Sequence, residues 1–178
     1  MKTLQEKQKN IFSSLKDAFG YRNIMEAPRV EKVVVSVGTG SVKDREKMQL
    51  IPDRLAKITG QKPSPRGARK SIATFKLRQG DTIGHQVTLR GPRMYAFLDK
   101  FLNIALPRTR DFKGVSRGAV DEMGNLTIGV REHTIFPETS DEELKNVFGM
   151  AITIVSTARG KKEAEAFFEG LGVPFRKE

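Results

Sequence analysis

The chain contains neither cysteine nor tryptophan. Without a thiol there is no disulfide, no thiolate nucleophile and no cysteine-based zinc site. Histidine is almost as scarce, with two residues among 178, His85 and His133. Neither stands at ligand or triad spacing from a carboxylate. The alternation of the flanking residues predicts His85 turned inward and His133 outward, both in structural roles. No apolar run approaches the ~18 residues that a membrane span requires. The opening MKTLQEKQKN is polar and lacks the apolar core of a signal peptide, so a cytoplasmic protein with no membrane partner is expected.

Motifs for chemistry are missing too. Ser13, Ser14, Ser71 and Ser116 have no nucleophile elbow around them. The VGTG run at Gly38 and Gly40 lacks the third glycine of a dinucleotide fingerprint and the spacing of a Walker loop. A turn that needs a permissive backbone is the simpler reading. The acidic residues of 138–143 suit a helix N-terminus better than a metal. No catalytic residue, cofactor or metal is expected.

What is present is positive charge, unevenly placed. The net charge is +11 and the pI about 10.0. Residues 1–61 hold 12 basic and 7 acidic residues, and residues 118–178 hold 7 basic and 11 acidic. Residues 62–117 hold 13 basic and only 3 acidic, nearly the whole excess. A merely solvated surface gives no reason for such segregation, whereas a nucleic-acid footprint does, because each cation that neutralises a phosphate releases a counterion. Within that third, RGARKSIATFKLR carries Arg66, Arg69, Lys70, Lys76 and Arg78 among small residues. Small residues allow a backbone to approach phosphates, and Arg forks them bidentately. Phe75 in this run either stacks on a base or anchors the loop to the core, and the anchor is the favoured expectation. Arg108, Arg110, Lys113 and Arg117 form a second basic cluster.

Periodicity predicts the scaffold. Residues 3–19 read as an amphipathic helix using Leu4, Ile11, Phe12, Leu15, Ala18 and Phe19, stopped by Gly20. Residues 29–37 read as a strand with Val33, Val35 and Val37 on one face and Lys32, Val34 and Ser36 on the other. Residues 44–59 are helical around Met48, Ile51, Leu55 and Ile58, with a bend or late start possible at Pro52. The stretch 60–86 is loop-like, with strand pairing only around Phe75 and Leu77. Ile83, Val87 and Leu89 then point inward, against Gln86, Thr88 and Arg90. Residues 92–106 form a helix, 125–131 and 150–156 form strands, and 161–171 form a last helix. Ser140 and Glu143 are expected as a capping box on a short helix carrying Leu144, Val147 and Phe148.

The sum is an α+β chain with a mostly antiparallel sheet, helices on one face, and a long basic loop at about 66–84. The other face carries Ser36, Thr88, Arg90, Thr127, Arg131 and Thr153. It is polar and lacks a row of aromatics, which suits docking on folded RNA more than stacking unpaired bases.

The strings PRVEKVVVSVGTG, TGQKP, ARKSIATFKLRQG, IGHQVTLRG, ALPRTRDFKGVS, GNLTIGVREHTIFPE and GVPFRK resemble, in order, the bacterial ribosomal protein family that binds 5S ribosomal RNA, the large-subunit proteins of number five. The resemblance runs from about residue 20 to the C-terminus. It implies one RNA-recognition-like domain over 1–178, a non-enzymatic place in the large subunit's central protuberance, and 5S and 23S rRNA as partners beside other ribosomal proteins. Carried over residue by residue, the 5S rRNA candidates are Lys32, Ser36, Gly38, Gln61, Lys62, Thr88 and Arg90. Arg66, Arg69, Lys70, Lys76 and Arg78 become contacts to peptidyl-site tRNA. Arg108, Arg110, Lys113 and Arg117, with the loop 133–146, become candidates for bridging to a small-subunit head protein. Two departures stand out: Ser36 occupies a position where the family usually has Asn, and VDEMGNL lacks the family's aromatics. The alternative readings are a standalone RNA-binding regulator or chaperone and, further off, a phosphate-handling enzyme.

Overall fold

A computed structural model describes residues 3–176 apart from Ser41, Lys43, Asp111 and Glu142. The first helix, α1 (Leu4–Phe19), begins where its sequence signals say it should. The Thr3 side chain accepts the Glu6 N–H at 3.4 Å, and Glu6 Oε2 accepts the Thr3 N–H at 3.1 Å. This reciprocal capping box satisfies two donors that a helix start leaves open. Gly20 ends the helix at φ 67° in the left-handed region that favours glycine. Only Leu4 and Ile11 of the predicted apolar stripe are buried, and Ala18 and Phe19 are exposed. Replacing Thr3 with Ala should destabilise the protein by about 0.5–2 kcal/mol, visible as a lowered thermal midpoint.

Five strands form an antiparallel sheet: β1 (Val30–Gly38), β2 (Ser64–Gly67), β3 (Thr82–Leu89), β4 (Leu126–Val130) and β5 (Met150–Ser156), in the order β2-β3-β1-β5-β4. The alternation read from the sequence holds strand by strand. Val33, Val35 and Val37 are buried, as are Val87 and Leu89, Leu126, Ile128 and Val130, and Ile152 and Ile154. Ser36 and Thr88 fall on the other phase and are half-buried; Arg90, just past β3, is exposed. Thr127 and Thr153 share a hydroxyl hydrogen bond of 3.0 Å on that phase.

The remaining helices are α2 (Arg45–Thr59), α3 (Gly91–Lys100) and α4 (Lys161–Leu171). Asp44 caps α2 by accepting the Glu46 N–H at 3.0 Å. Pro52 lies inside α2 without ending it, one turn after the helix starts. The predicted helix 92–106 is three pieces: α3, then a π-helical turn Phe101–Ala105, then a 3-10 turn Leu106–Arg108.

By contacts the chain divides into two compact units. The first comprises Met1–Val33, Leu89–Ile128 and Thr153–Glu178; the second comprises Val34–Thr88 and Gly129–Ile152. In the first, α1 packs on α4 and on α3. The Tyr21 hydroxyl donates to the buried Glu163 carboxylate, whose other oxygen accepts the Arg159 N–H at 2.6 Å. Burial and then the adjacent carboxylate hold the Tyr21 hydroxyl far above its usual pKa, so the bond persists at any physiological pH.

In the second unit, two expectations fail. His133 is buried, not outward, and stacks on Phe148 with ring centroids 4.0 Å apart. Its Nδ1 accepts the Phe148 N–H at 3.3 Å. β4 has ended at Val130, so the alternation no longer governs where residue 133 points. The helix over 140–148 is also missing. Its residues form a 3-10 turn, Leu144–Asn146, and the Ser140 hydroxyl donates to Pro137 O at 3.2 Å instead of capping. Glu142 of that stretch lies outside the described residues. A cap stabilises a helix only if the following backbone is helical, and here Lys47 Nζ draws Lys145 O and Val147 O to 3.0 and 2.8 Å.

Candidate nucleic-acid interface

The basic stretch is a built hairpin rather than a loop. β2 pairs antiparallel with β3, with Ser64 opposite Gln86, Pro65 opposite His85 and Arg66 opposite Gly84. Arg66 therefore sits on a strand, not in the loop expected at 66–84. Pro65 has no N–H to offer, which is tolerable because β2 is the sheet's edge. The ladder continues outward past the strands. Ala68 N–H donates to Asp81 O at 2.8 Å and Gly80 N–H to Ala68 O at 3.0 Å. Ile72 and Leu77 exchange two backbone bonds of 3.0 and 3.2 Å around a 3-10 turn, Ala73–Phe75. The strands expected around Phe75 and Leu77 reduce to that single bridge.

Phe75 is not a core anchor. It is 69% exposed, because a hairpin projecting this far has no apolar layer to fold it against. Arg66, Arg69, Lys70, Lys76 and Arg78 are all exposed. Among the described residues none of the five forms an ion pair. The one carboxylate within the hairpin, Asp81, accepts the backbone N–H of Arg78 at 2.8 Å. A groove of about 870 Å³ runs along the hairpin between Pro65, Arg66, Arg69, Lys70, Ile72 and Gln86. These cations keep their full hydration and have no internal partner, so their charge is available to an external anion.

Beside it in the same unit, the TGQKP turn is held firmly. Thr59 Oγ1 lies 2.7 Å from Leu55 O and 3.1 Å from Gln61 O. The Gln61 side-chain amide donates to Thr88 O at 3.4 Å, which brings those two candidates together and leaves its own carbonyl unspent. Lys62 is exposed. Gly38 is exposed, and nothing lies within 4 Å of where a Cβ would be, so a backbone or phosphate can approach it. Gly84 is the reverse case: a Cβ there would meet Val37 O at 2.7 Å, because β3 and β1 approach closely. The Thr39 N–H in VGTG is spent on Ile83 O at 2.8 Å, in keeping with a turn rather than a phosphate loop. His85 is half-buried, and burial holds its pKa below the usual value, so it is neutral at pH 7 and adds no charge to this region.

The other candidates belong to the first unit. Arg90 is exposed at the N-cap of α3 and makes no side-chain cap bond. Lys32 is 3.7 Å from Glu31 in a solvent-screened pair. Arg108, Arg110 and Lys113 are exposed. Arg117 is different: its guanidinium lies 3.7 Å from Glu165, 3.4 Å from Glu169 and 5.4 Å above the Phe175 ring. It ties its loop to α4 and to the C-terminal residues. The VDEMGNL turn is closed by a polar clasp, with Asp121 accepting the Asn125 N–H at 2.7 Å and the Asn125 amide at 3.0 Å. Those bonds lower the Asp121 pKa below the usual carboxylate range.

Sequence reasoning missed the outward presentation of Phe75 and the contact that makes Gly84 irreplaceable. An aromatic inside an unpatterned basic run was the available signal for the first. The second had none.

Among the described residues there is no His, Cys, Asp or Glu cluster fit for a metal. No helix is long and apolar enough to cross a membrane. Residues 23–78 match the profile of the family described as ribosomal protein L5, and residues 82–175 match that of the ribosomal L5 family C-terminus. The large ribosomal subunit protein uL5 of Thermoanaerobacter sp. is 49% identical over 99% of this chain and 100% of its own length. That of Caldanaerobacter subterraneus is 50% identical over 99% and 100%, and that of Ureaplasma urealyticum 46% over 99% and 97%. With two profiles tiling residues 23–175 and full-length relatives near half identity, the chain belongs to the L5 family of large-subunit ribosomal proteins, structural components that are not enzymes.

Proposed function

We propose that this chain is a structural part of the large ribosomal subunit, working on the cytoplasmic ribosome, that holds 5S rRNA and reaches peptidyl-site tRNA with its hairpin. The observation that carries this is the separation of two kinds of polar surface. One is the outward phase of β1 and β3 with the TGQKP turn, where Ser36, Gly38, Gln61 and Thr88 offer short hydroxyl, amide and backbone groups. Lys32, Lys62 and Arg90 add charge along the same strands and turn. Such groups fix register on a folded RNA that is read by shape. The other is the hairpin, whose five unpaired cations supply electrostatic reach with little that would specify sequence.

In the central protuberance the same chain would also meet 23S rRNA and neighbouring ribosomal proteins. Arg108, Arg110 and Lys113 are the cations left for bridging to a small-subunit head protein, with the loop 133–146. Arg117 would support that loop from below through Glu165 and Glu169.

Two double variants test the division of labour. Thr88→Ala with Arg90→Ala should weaken 5S rRNA binding by about tenfold, since each lost contact of this kind is worth roughly a kcal/mol. Arg69→Ala with Lys70→Ala should leave 5S binding intact and weaken contact with tRNA. The reverse pattern, in filter binding with purified RNAs, would show the assignment to be wrong.

A further inference from the structure

We propose that Phe75 is a stacking platform for one unpaired base, so that the hairpin recognises an RNA loop rather than a helix. The inference rests on the RNA-binding reading of the hairpin and adds to it what the hairpin selects.

Phe75 is among the most exposed large apolar side chains of the chain, and it makes no aromatic or cation–π contact among the described residues. It closes the 3-10 turn Ala73–Phe75, and the next residue, Lys76, holds φ 53°. Among the described residues no other non-glycine has a positive φ. A lysine in the left-handed region is unfavourable unless the surroundings impose it. The imposition is visible: the paired Ile72–Leu77 bonds sit directly below the turn, and the Gln79 N–H donates to Ser71 Oγ at 3.0 Å. The tip is therefore built and strained, and the product of that construction is an aromatic ring held outward.

The surrounding charge narrows the occupant. Lys76 adjoins the ring, and Arg69, Lys70 and Arg78 are free of carboxylates. Cations around a bare ring suit a polyanion that offers a flat apolar face, which is a nucleotide. In a paired RNA helix the base faces are stacked away and the major groove is too narrow for side chains. Only a loop, bulge or end presents a base to such a ring.

The chain lacks tryptophan, so Phe75→Trp introduces a single fluorophore at the tip. The full-length variant is titrated with an RNA stem–loop and with a fully paired duplex of equal length. Quenching by the stem–loop but not by the duplex is expected. Phe75→Ala and Phe75→Leu should each weaken stem–loop binding by about tenfold, with Phe75→Tyr retaining it and duplex binding unchanged. Equal affinity of the Leu and Phe forms, or equal loss for both RNAs, overturns the inference. So does preferential binding of a polyglutamate peptide, which would point to an acidic protein partner. Arg69→Ala with Lys70→Ala separates the two levels. If that pair weakens both RNAs while Phe75 variants do nothing, only the stacking role fails. If it weakens neither, the RNA-binding reading of the hairpin fails with it.

Discussion

Replacing Arg66, Arg69, Lys70, Lys76 and Arg78 together with Ala should flatten the salt dependence of tRNA binding and weaken it by about 10²–10³-fold at low salt. Each cation that neutralises a phosphate releases a condensed counterion. The slope of log affinity against log salt should then become shallower by roughly 3.5–4.5 for the five. The full effect is expected because none of these side chains has an internal carboxylate partner among the described residues. A cation already paired inside the protein contributes less, since binding RNA must first break that pair. Lys32, beside Glu31, is such a case and should change the slope for 5S rRNA by less than one unpaired cation would. The hairpin backbone should survive the five substitutions, because its ladder uses main-chain groups, Ser71 Oγ and Asp81. Unchanged thermal stability with a reduced salt slope is the combined result to look for. An unchanged slope would mean that these cations do not meet phosphate.

Gly84→Ala should destabilise the protein by about 3 kcal/mol, at the upper end of what overpacking costs. A chain of this length would then melt roughly 6–12 °C lower. The added methyl would sit 2.7 Å from Val37 O, a main-chain atom that cannot rotate away. Relief requires β3 to move off β1, and that movement would also shift Thr88 relative to Ser36 on the neighbouring strand. 5S rRNA affinity should therefore fall along with stability. Gly129→Ala is the matched control: it also lies in a strand, but nothing stands within 4 Å of the new methyl. Its expected change is within about 0.5 kcal/mol. Equal melting temperatures for the two variants would disprove the close-approach account of Gly84.

Much of this architecture was legible from residue order because the signals concerned are local. Strand alternation depends on residues two apart, so Val33, Val35 and Val37 declared one face and Ser36 the other without knowledge of any partner. Helix ends depend on residues three or four apart, so Thr3 with Glu6 and Gly20 marked α1. Charge segregation depends on counting alone, and it located the hairpin. The family motifs assigned separate partners to the strand face and the hairpin, which neither count nor period could do.

Where a side chain ends up depends on what distant chain brings to cover it. Phe75 is apolar enough to be buried, yet nothing arrives above the hairpin tip, and it stays in solvent. His133 is polar enough to be exposed, yet Phe148 arrives beside it and offers both a ring and an N–H. Arg117 belongs by sequence to the basic cluster of 108–117, but Glu165 and Glu169 on α4 claim it. Ser140 and Glu143 have capping-box spacing, but the backbone after them turns toward Lys47 instead of winding into a helix. The sequence by itself determined the elements, their inward faces and the place of the positive charge, since each follows from near neighbours. Only the tertiary structure decided which cations remain unpaired, which aromatic stands bare and which glycine has no room for a methyl, because each is set by contacts between residues far apart in the chain.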